Sequence, residues 1–187
     1  MIDVEEILKE TGAMLQGHFL LPTGFHTDTQ IQFARAIQYT WHAKEIASEL
    51  ALKLHRFAPD CIASPITNGI TVGYEVARNL DVPFIFSERN ANGTMTFSRG
   101  LDPSIFRNIV IVEGVVENGK SVRELLSTLK KFDSEAIAVS SVVKRADIKK
   151  IEGLSLLSLV TIPLKLYKPE ECPMCKKGIP IVNIEHP

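Results

Sequence analysis

Between Asp60 and Leu164 the chain alternates short apolar runs with amphipathic stretches, and this limits the folds open to it. "DCIASP", "PFIFSE", "NIVIVE", "EAIAVSSVVK" and "LSLLSLVTIPL" read as strands, while "GITVGYEVARNL" and "SVRELLSTLKKF" read as helices. Strands that are apolar throughout, rather than at every second residue, need cover on both faces. The expected fold class is therefore α/β, a mostly parallel central sheet flanked by helices. "TWHAKEIASELALKLHRF" adds a helix before it, with Ile46, Leu50 and Leu54 four residues apart and Thr40 as its expected N-cap. "VEEILKETGAML" places Val4, Ile7, Leu8 and Leu15 on a helical period, with Gly12 near its end. "GHFLLPTGFHTDTQIQFARAIQY" reads as short strands and loops, and "RNANGTMTFSRG" as a polar loop. The 187 residues suit a single domain with a core over about 36–163 and additions over about 1–35 and 164–187.

A net charge of −1 gives no general attraction to nucleic acid or anionic membrane, so neither is an expected partner. No apolar run approaches the ~18 residues of a membrane span. The acidic "MIDVEEILKE" lacks the basic start and apolar core of a signal peptide. Three cysteines make a poor disulfide framework. A cytoplasmic protein is expected.

One stretch carries a chemical signal. From Gly114, "GVVENGKS" spells G-x-x-x-x-G-K-S, the P-loop pattern, between a strand and a helix. Three observations count against a nucleotide triphosphatase. The motif follows at least two strands instead of the first. The strand after it, "AIAVSSVV", runs into Lys144 and Arg145 rather than ending in an Asp for Mg2+. Glu117 also lies inside the loop, where a like charge about 4 Å away costs roughly 4 kcal/mol at an effective dielectric of 20.

The surrounding segments fit another family. "GHFLLPTGFHTDTQIQFARAIQY", "DCIASPITNGITVGYEVARNLDVPFIFSER", "NGTMTFSRG", "IVIVEGVVENGKS" and "YKPEECPMCKKGIPIV" follow one another in the order found in bacterial and archaeal orotate phosphoribosyltransferases. The chain resembles that family nearly end to end. The resemblance implies the type I phosphoribosyltransferase fold, with a small hood built from the N- and C-terminal segments. It implies transfer of a phosphoribosyl group from 5-phosphoribosyl 1-diphosphate to orotate with Mg2+, giving orotidine 5′-monophosphate and diphosphate. It also implies a homodimer in which a mobile loop serves the neighbouring subunit. By the same resemblance, Glu113, Gly114, Glu117, Asn118, Gly119, Lys120 and Ser121 form the ribose-phosphate loop, and Thr67, Asn68 and Gly69 the diphosphate loop. Arg89 and Arg99 are the catalytic residues of the mobile loop, if the protein is active. A departing diphosphate needs cations, and a 5′-phosphate needs backbone N–H and hydroxyl donors at a helix N-terminus.

The departures from that family gather at the chemistry. The family's Glu-Asp pair is here Glu113-Gly114, and its Thr-Thr-Gly loop is Glu117-Asn118-Gly119. Asn68 adds a side chain to "ITNG", where the backbone must approach a ligand closely. Thr94 and Ser98 stand where the family has basic residues. The leading expectation is an orotate phosphoribosyltransferase-like protein with weak or no transferase activity. It binds a pyrimidine, nucleotide or other phosphate-bearing ligand, or regulates a partner. An active transferase with altered contacts is the alternative. Lys120 is either a phosphate ligand, a neutraliser of Glu117, or a solvated residue on a first helical turn.

His18 and His26 are candidates for ligand contact, although lone histidines more often serve packing or surface. Phe19 and Phe25 read as hood packing. Cys172 and Cys175 have zinc-knuckle spacing, but a site needs four ligands. Cys61 reads as a core-strand residue; His186 is a possible third ligand, with the rest from a dimer partner. No metal is assigned on this basis. "KKFDSE" and "KRADIKK" read as solvated faces.

Overall fold

Ile109, Val110, Ile111 and Val112 have no solvent-exposed surface, and the fold is built outward from the strand that carries them. The structure is a computed structural model describing residues 2–182. In chain order its elements are α1 (Val4–Glu10), β1 (Met14–Leu20), β2 (His26–Ile31), α2 (Ala34–Ile37), α3 (Thr40–Leu54), β3 (Cys61–Ser64), α4 (Asn68–Leu80) and β4 (Phe84–Phe86). There follow β5 (Glu88–Arg89), β6 (Met95–Thr96), β7 (Ile109–Val116), α5 (Lys120–Lys130), β8 (Ala136–Lys144), β9 (Lys150–Ile151), β10 (Leu154–Thr161) and α6 (Pro173–Lys176).

A six-stranded sheet runs β4-β3-β7-β8-β10-β9, parallel except for the β9–β10 pair. Side chains alternate across β7. Val110 and Val112 enter a core with Leu8 of α1, Ile46 and Leu50 of α3, and Val72 and Val76 of α4. Ile109 and Ile111 enter a second core with Leu125 and Leu129 of α5. Burying each such side chain contributes about 1.5–3 kcal/mol, so the strand's period of two fastens helices to both faces. β1 and β2 form a separate antiparallel hairpin. It meets the C-terminal segment through bridges from Phe19 to Val182 and from His26 to Tyr167.

The structure corrects several local expectations. Leu15 lies in β1, because Gly12 at φ +65° ends the helical course before it. Thr40 is the first residue of α3, the N-cap is Tyr39, and no side chain caps this end. The segment read as a polar loop is a hairpin, with β5 and β6 antiparallel. Met95 and Phe97 are buried in the second core, so the hairpin's base is anchored in its own subunit; the tip, 90–93, is exposed. β7 continues past Glu113, pairing Val115 with Val143 and Val116 with Lys144, so the loop before α5 shrinks to 117–119. Phe19 packs as expected, whereas Phe25 is 37% exposed. Arg145, read as part of a solvated charge run, is 1% exposed. No helix among the described residues is long and apolar enough to cross a membrane.

Candidate functional site

The strand order reverses around β3. The chain passes from β3 outward to β4, then returns to β7 on the other side. Open α/β sheets bind ligands at such a reversal, beyond the carboxyl ends of the strands. Here that crevice is bounded by the segment after β3 and the loop after β7.

After β3 come Pro65, Ile66 and Thr67, and the Ile66–Thr67 peptide is cis. Thr67 is exposed at the N-cap position of α4 without a side-chain capping bond, and Asn68 opens the helix. Gly69 is fixed by packing: a Cβ there would lie 2.8 Å from the Val112 carbonyl oxygen. The glycine lets the first turn of α4 sit directly on β7.

At the β7 side, Glu113 is 5% exposed. Its Oε1 accepts from the Gly114 N–H at 2.9 Å, and its Oε2 accepts from the Ser121 hydroxyl at 3.0 Å. Burial pushes its carboxyl up to about 7, against the smaller opposing effect of those two bonds. Asn118 Oδ1 accepts from the Lys120 N–H at 3.0 Å, and the Asn118 carbonyl from Arg123 at 2.7 Å. Gly119, at φ +76°, turns the chain into α5 in a conformation other residues rarely adopt. Glu117 is half-buried and Lys120 exposed, and they form no ion pair with each other. Glu117, Asn118, Gly119 and Lys120 line a cleft of about 360 Å³ with Ile66, Arg89, Glu113, Ser121 and Glu124.

Arg89 reaches this cleft as a fork, donating to Glu124 Oε1 at 2.7 Å and Oε2 at 2.9 Å, and to the Gly93 carbonyl at 2.6 Å. Arg99 does not join it. Its Nε donates at 2.7 Å to Glu88, whose other oxygen accepts from Ser98 at 2.5 Å. Arg89 and Arg99 are thus both matched by carboxylates.

The residue the sequence reading missed is Arg145. It follows β8, beside the loop. One guanidinium nitrogen donates to the Thr29 carbonyl at 3.0 Å. Nε and the other terminal nitrogen have no hydrogen-bond partner among the described residues. Burial lowers its pKa, opposed by the nearby charges of Glu117 and Asp28. It lines a cavity of about 700 Å³ with Leu21, Pro22, Thr23, Glu117, Asn118 and Lys120. A buried, under-bonded guanidinium in a cavity is suited to an anion, above all a planar carboxylate. Only its place was legible in sequence, since "VVKRAD" puts Arg145 directly beyond a strand end; its burial was not.

Cys172 and Cys175 line neither cavity and lie beside His18 and His26. The two histidines are buried, not surface residues. Cys61 lies in β3, where burial pushes its thiol up to about 12. His186 lies outside the described residues.

Comparison with known proteins agrees with this architecture. The family model "Phosphoribosyl transferase domain" matches residues 38–155. The chain is 37% identical over 178 residues to the orotate phosphoribosyltransferase of Caldicellulosiruptor bescii, covering 95% of this chain and 93% of that protein. With that of Caldanaerobacter subterraneus it shares 38% identity over 180 residues, covering 96% and 94%. The crystal structure of orotate phosphoribosyltransferase from Aeropyrum pernix superposes with a TM-score of 0.73 at 20% identity, covering 86% of this chain and 94% of that one.

Proposed function

The chain belongs to the orotate phosphoribosyltransferase family, and we propose that it binds a phosphate-bearing pyrimidine nucleotide or its precursors while transferring the phosphoribosyl group weakly. Glu113 carries this reading. It is the one acid left of the family's Glu-Asp pair, and both its oxygens are already bonded within the protein. Gly114 offers no second carboxylate for a ribose hydroxyl, and Glu117 opposes a phosphate at the loop.

Chain residues suffice for binding. The first turn of α5, from Lys120, supplies N–H groups and a cation for a 5′-phosphate. Arg145, in the wall of the larger cavity, supplies the cation for a pyrimidine carboxylate. Arg89 is placed to exchange Glu124 for a diphosphate oxygen. Mg2+ binds through one or two carboxylates plus substrate phosphates, so in this reading it enters with the diphosphate, in the cleft that Glu113, Glu117 and Glu124 line.

The P-loop spelling is a coincidence in this reading. Gly114, Val115 and Val116 are engaged in the β7 strand, so only 117–119 are left to wrap a phosphate. The chain works as one domain, with β1–β2 and the C-terminal segment as a hood over the Arg145 cavity. It pairs as a homodimer, the exposed tip at 90–93 serving the neighbouring site; light scattering tests the pairing.

The test is calorimetry with phosphoribosyl diphosphate, orotate and orotidine monophosphate, with and without Mg2+, beside a transfer assay. Binding with turnover at least about a hundredfold below the ~10 s⁻¹ typical of enzymes is expected. A second reading, a fully active transferase, is favoured by 37% identity across 95% of the chain to a protein of that name. Turnover near ~10 s⁻¹ would establish it and overturn the first.

A further inference from the structure

Four soft ligands from opposite ends of the chain meet under the hood. The ligand atoms of His18, His26, Cys172 and Cys175 all lie within 4.8 Å of one another. His18 Nε2 is 2.7 Å from His26 Nδ1, and 3.6 Å from each of the sulfurs of Cys172 and Cys175. The Cys175 sulfur is 3.3 Å from His26 Nδ1. From these distances we propose that the four residues form a structural Zn2+ site that clasps the β1–β2 hairpin to the C-terminal segment.

The distances match what the metal requires. Zn–S bonds of about 2.3 Å and Zn–N bonds of about 2.0–2.1 Å at tetrahedral angles put sulfur and nitrogen roughly 3.6 Å apart. The two imidazole nitrogens, at 2.7 Å, and the Cys175 sulfur and His26 Nδ1, at 3.3 Å, stand closer than such a site holds them, and metal entry has to part them. Without a metal, the imidazole contact requires a proton between the rings. The tautomer favours the metal as well. The His18 Nδ1–H donates to the Ile179 carbonyl at 2.7 Å, which leaves the Nε2 lone pair facing the cluster. Zn2+ takes the place of the proton between the rings; that proton moves to the far nitrogen of His26, and the two thiols release theirs to solvent.

The backbone already holds the two halves in register. His26 and Tyr167 exchange hydrogen bonds of 2.8 and 2.9 Å, and Val182 N–H donates to the His18 carbonyl at 2.7 Å. Cys172, itself extended, caps the start of α6 and Cys175 follows within it, so the C-x-x-C step brings both sulfurs to one side. Four protein ligands leave no open position, which makes the site structural. Two imidazoles and two thiolates select Zn2+ among common divalent ions. The ligand set differs from the expected Cys172, Cys175 and His186 with a partner's help: this chain supplies all four.

The full-length chain is purified under reducing conditions, stripped with chelator, and titrated with Zn2+ alone and with Co2+ alone. Expected are one Zn2+ per chain, release of two protons, and the intense visible bands and thiolate charge-transfer absorption of tetrahedral Co2+. Cys172→Ser and His18→Gln should each weaken Zn2+ binding by more than the roughly 10–100-fold that loss of an outer hydrogen bond costs. Cys61→Ser, in the sheet, should leave it unchanged. Chelation of the unmodified chain should lower its melting temperature, a comparison that needs no variant to fold. Failure of the reduced chain to take up Zn2+, a Co2+ spectrum without thiolate absorption, or equal uptake by Cys172→Ser would overturn the site.

Discussion

Ser121 donates its hydroxyl to Glu113 at 3.0 Å, tying the first turn of α5 to the strand that precedes it. The bond does not fully offset burial, which holds the Glu113 carboxyl at about 7 against a usual 4.5. Below pH 4.5 both folded and unfolded chains carry this proton, and Glu113 costs nothing. Between the two values the folded chain binds the proton more tightly, so stability falls as pH rises, and the penalty is complete above about pH 7. At about 1.4 kcal/mol per pH unit the full penalty is of order 3 kcal/mol. Glu113→Gln should remove this slope between pH 4.5 and 7 in denaturant titrations; an unchanged slope would locate the linkage elsewhere.

Arg145 should trade stability for binding. Its Nε and one terminal nitrogen are buried without partners among the described residues. A buried guanidinium with two unbonded nitrogens carries a desolvation penalty that a buried apolar side chain does not. Arg145→Leu should therefore melt at or above the wild-type temperature while losing at least about tenfold in orotate affinity, or about 1.4 kcal/mol. A large loss of stability with binding retained would make Arg145 a structural residue.

Gly69 and Gly119 should fail for different reasons. A Cβ at Gly69 would meet the Val112 carbonyl oxygen at 2.8 Å, and a backbone atom cannot yield as a side-chain tip can. At Gly119 the Cβ would meet Ile151 Cδ1 at 3.0 Å, and φ is +76°. Gly69→Ala should cost at least ~2 kcal/mol and Gly119→Ala about 1–2 kcal/mol by chemical denaturation. Equal, negligible losses would mean that the backbone at both loops adapts freely.

Much of the sheet was legible because its strands are apolar without interruption and its helices keep a clean period. Ile109–Val112 announced burial on both faces, and the helix after Ser121 announced itself by Val122, Leu125, Leu126 and Leu129. Three features were not legible, each for a physical reason. Met95 and Phe97 are two apolar residues in a polar segment, too few to mark a hairpin base that is fixed by tertiary packing. Arg145 carries a charge that composition assigns to the surface, and only the fold buries it. His18 and His26 precede Cys172 by most of the chain, so their meeting depends on how the hood closes, which local spacing does not encode.

The charge of Glu117 gives the sharpest test of the phosphate loop. Glu117 lies in the same cavity wall as Arg145 and raises the arginine's pKa, so it draws on the positive potential that would attract a ligand anion. Lys120 does not pair with it. Glu117→Thr should therefore act twice, removing repulsion at the loop and freeing Arg145. Roughly 4 kcal/mol is the upper guide for a like charge at about 4 Å; solvent entering the loop reduces this to about 1 kcal/mol. The expected result is around a fivefold gain in affinity for phosphoribosyl diphosphate or orotidine monophosphate by calorimetry. Adding Gly114→Asp supplies a second acceptor for a ribose hydroxyl, and Thr94→Lys adds a cation on the exposed side of the β5–β6 hairpin. If the triple variant transfers the phosphoribosyl group faster than the unmodified protein, the weak step lies in these three positions. If affinity is unchanged in Glu117→Thr alone, the phosphate does not bind against this loop, and the ligand occupies the Arg145 cavity by other contacts.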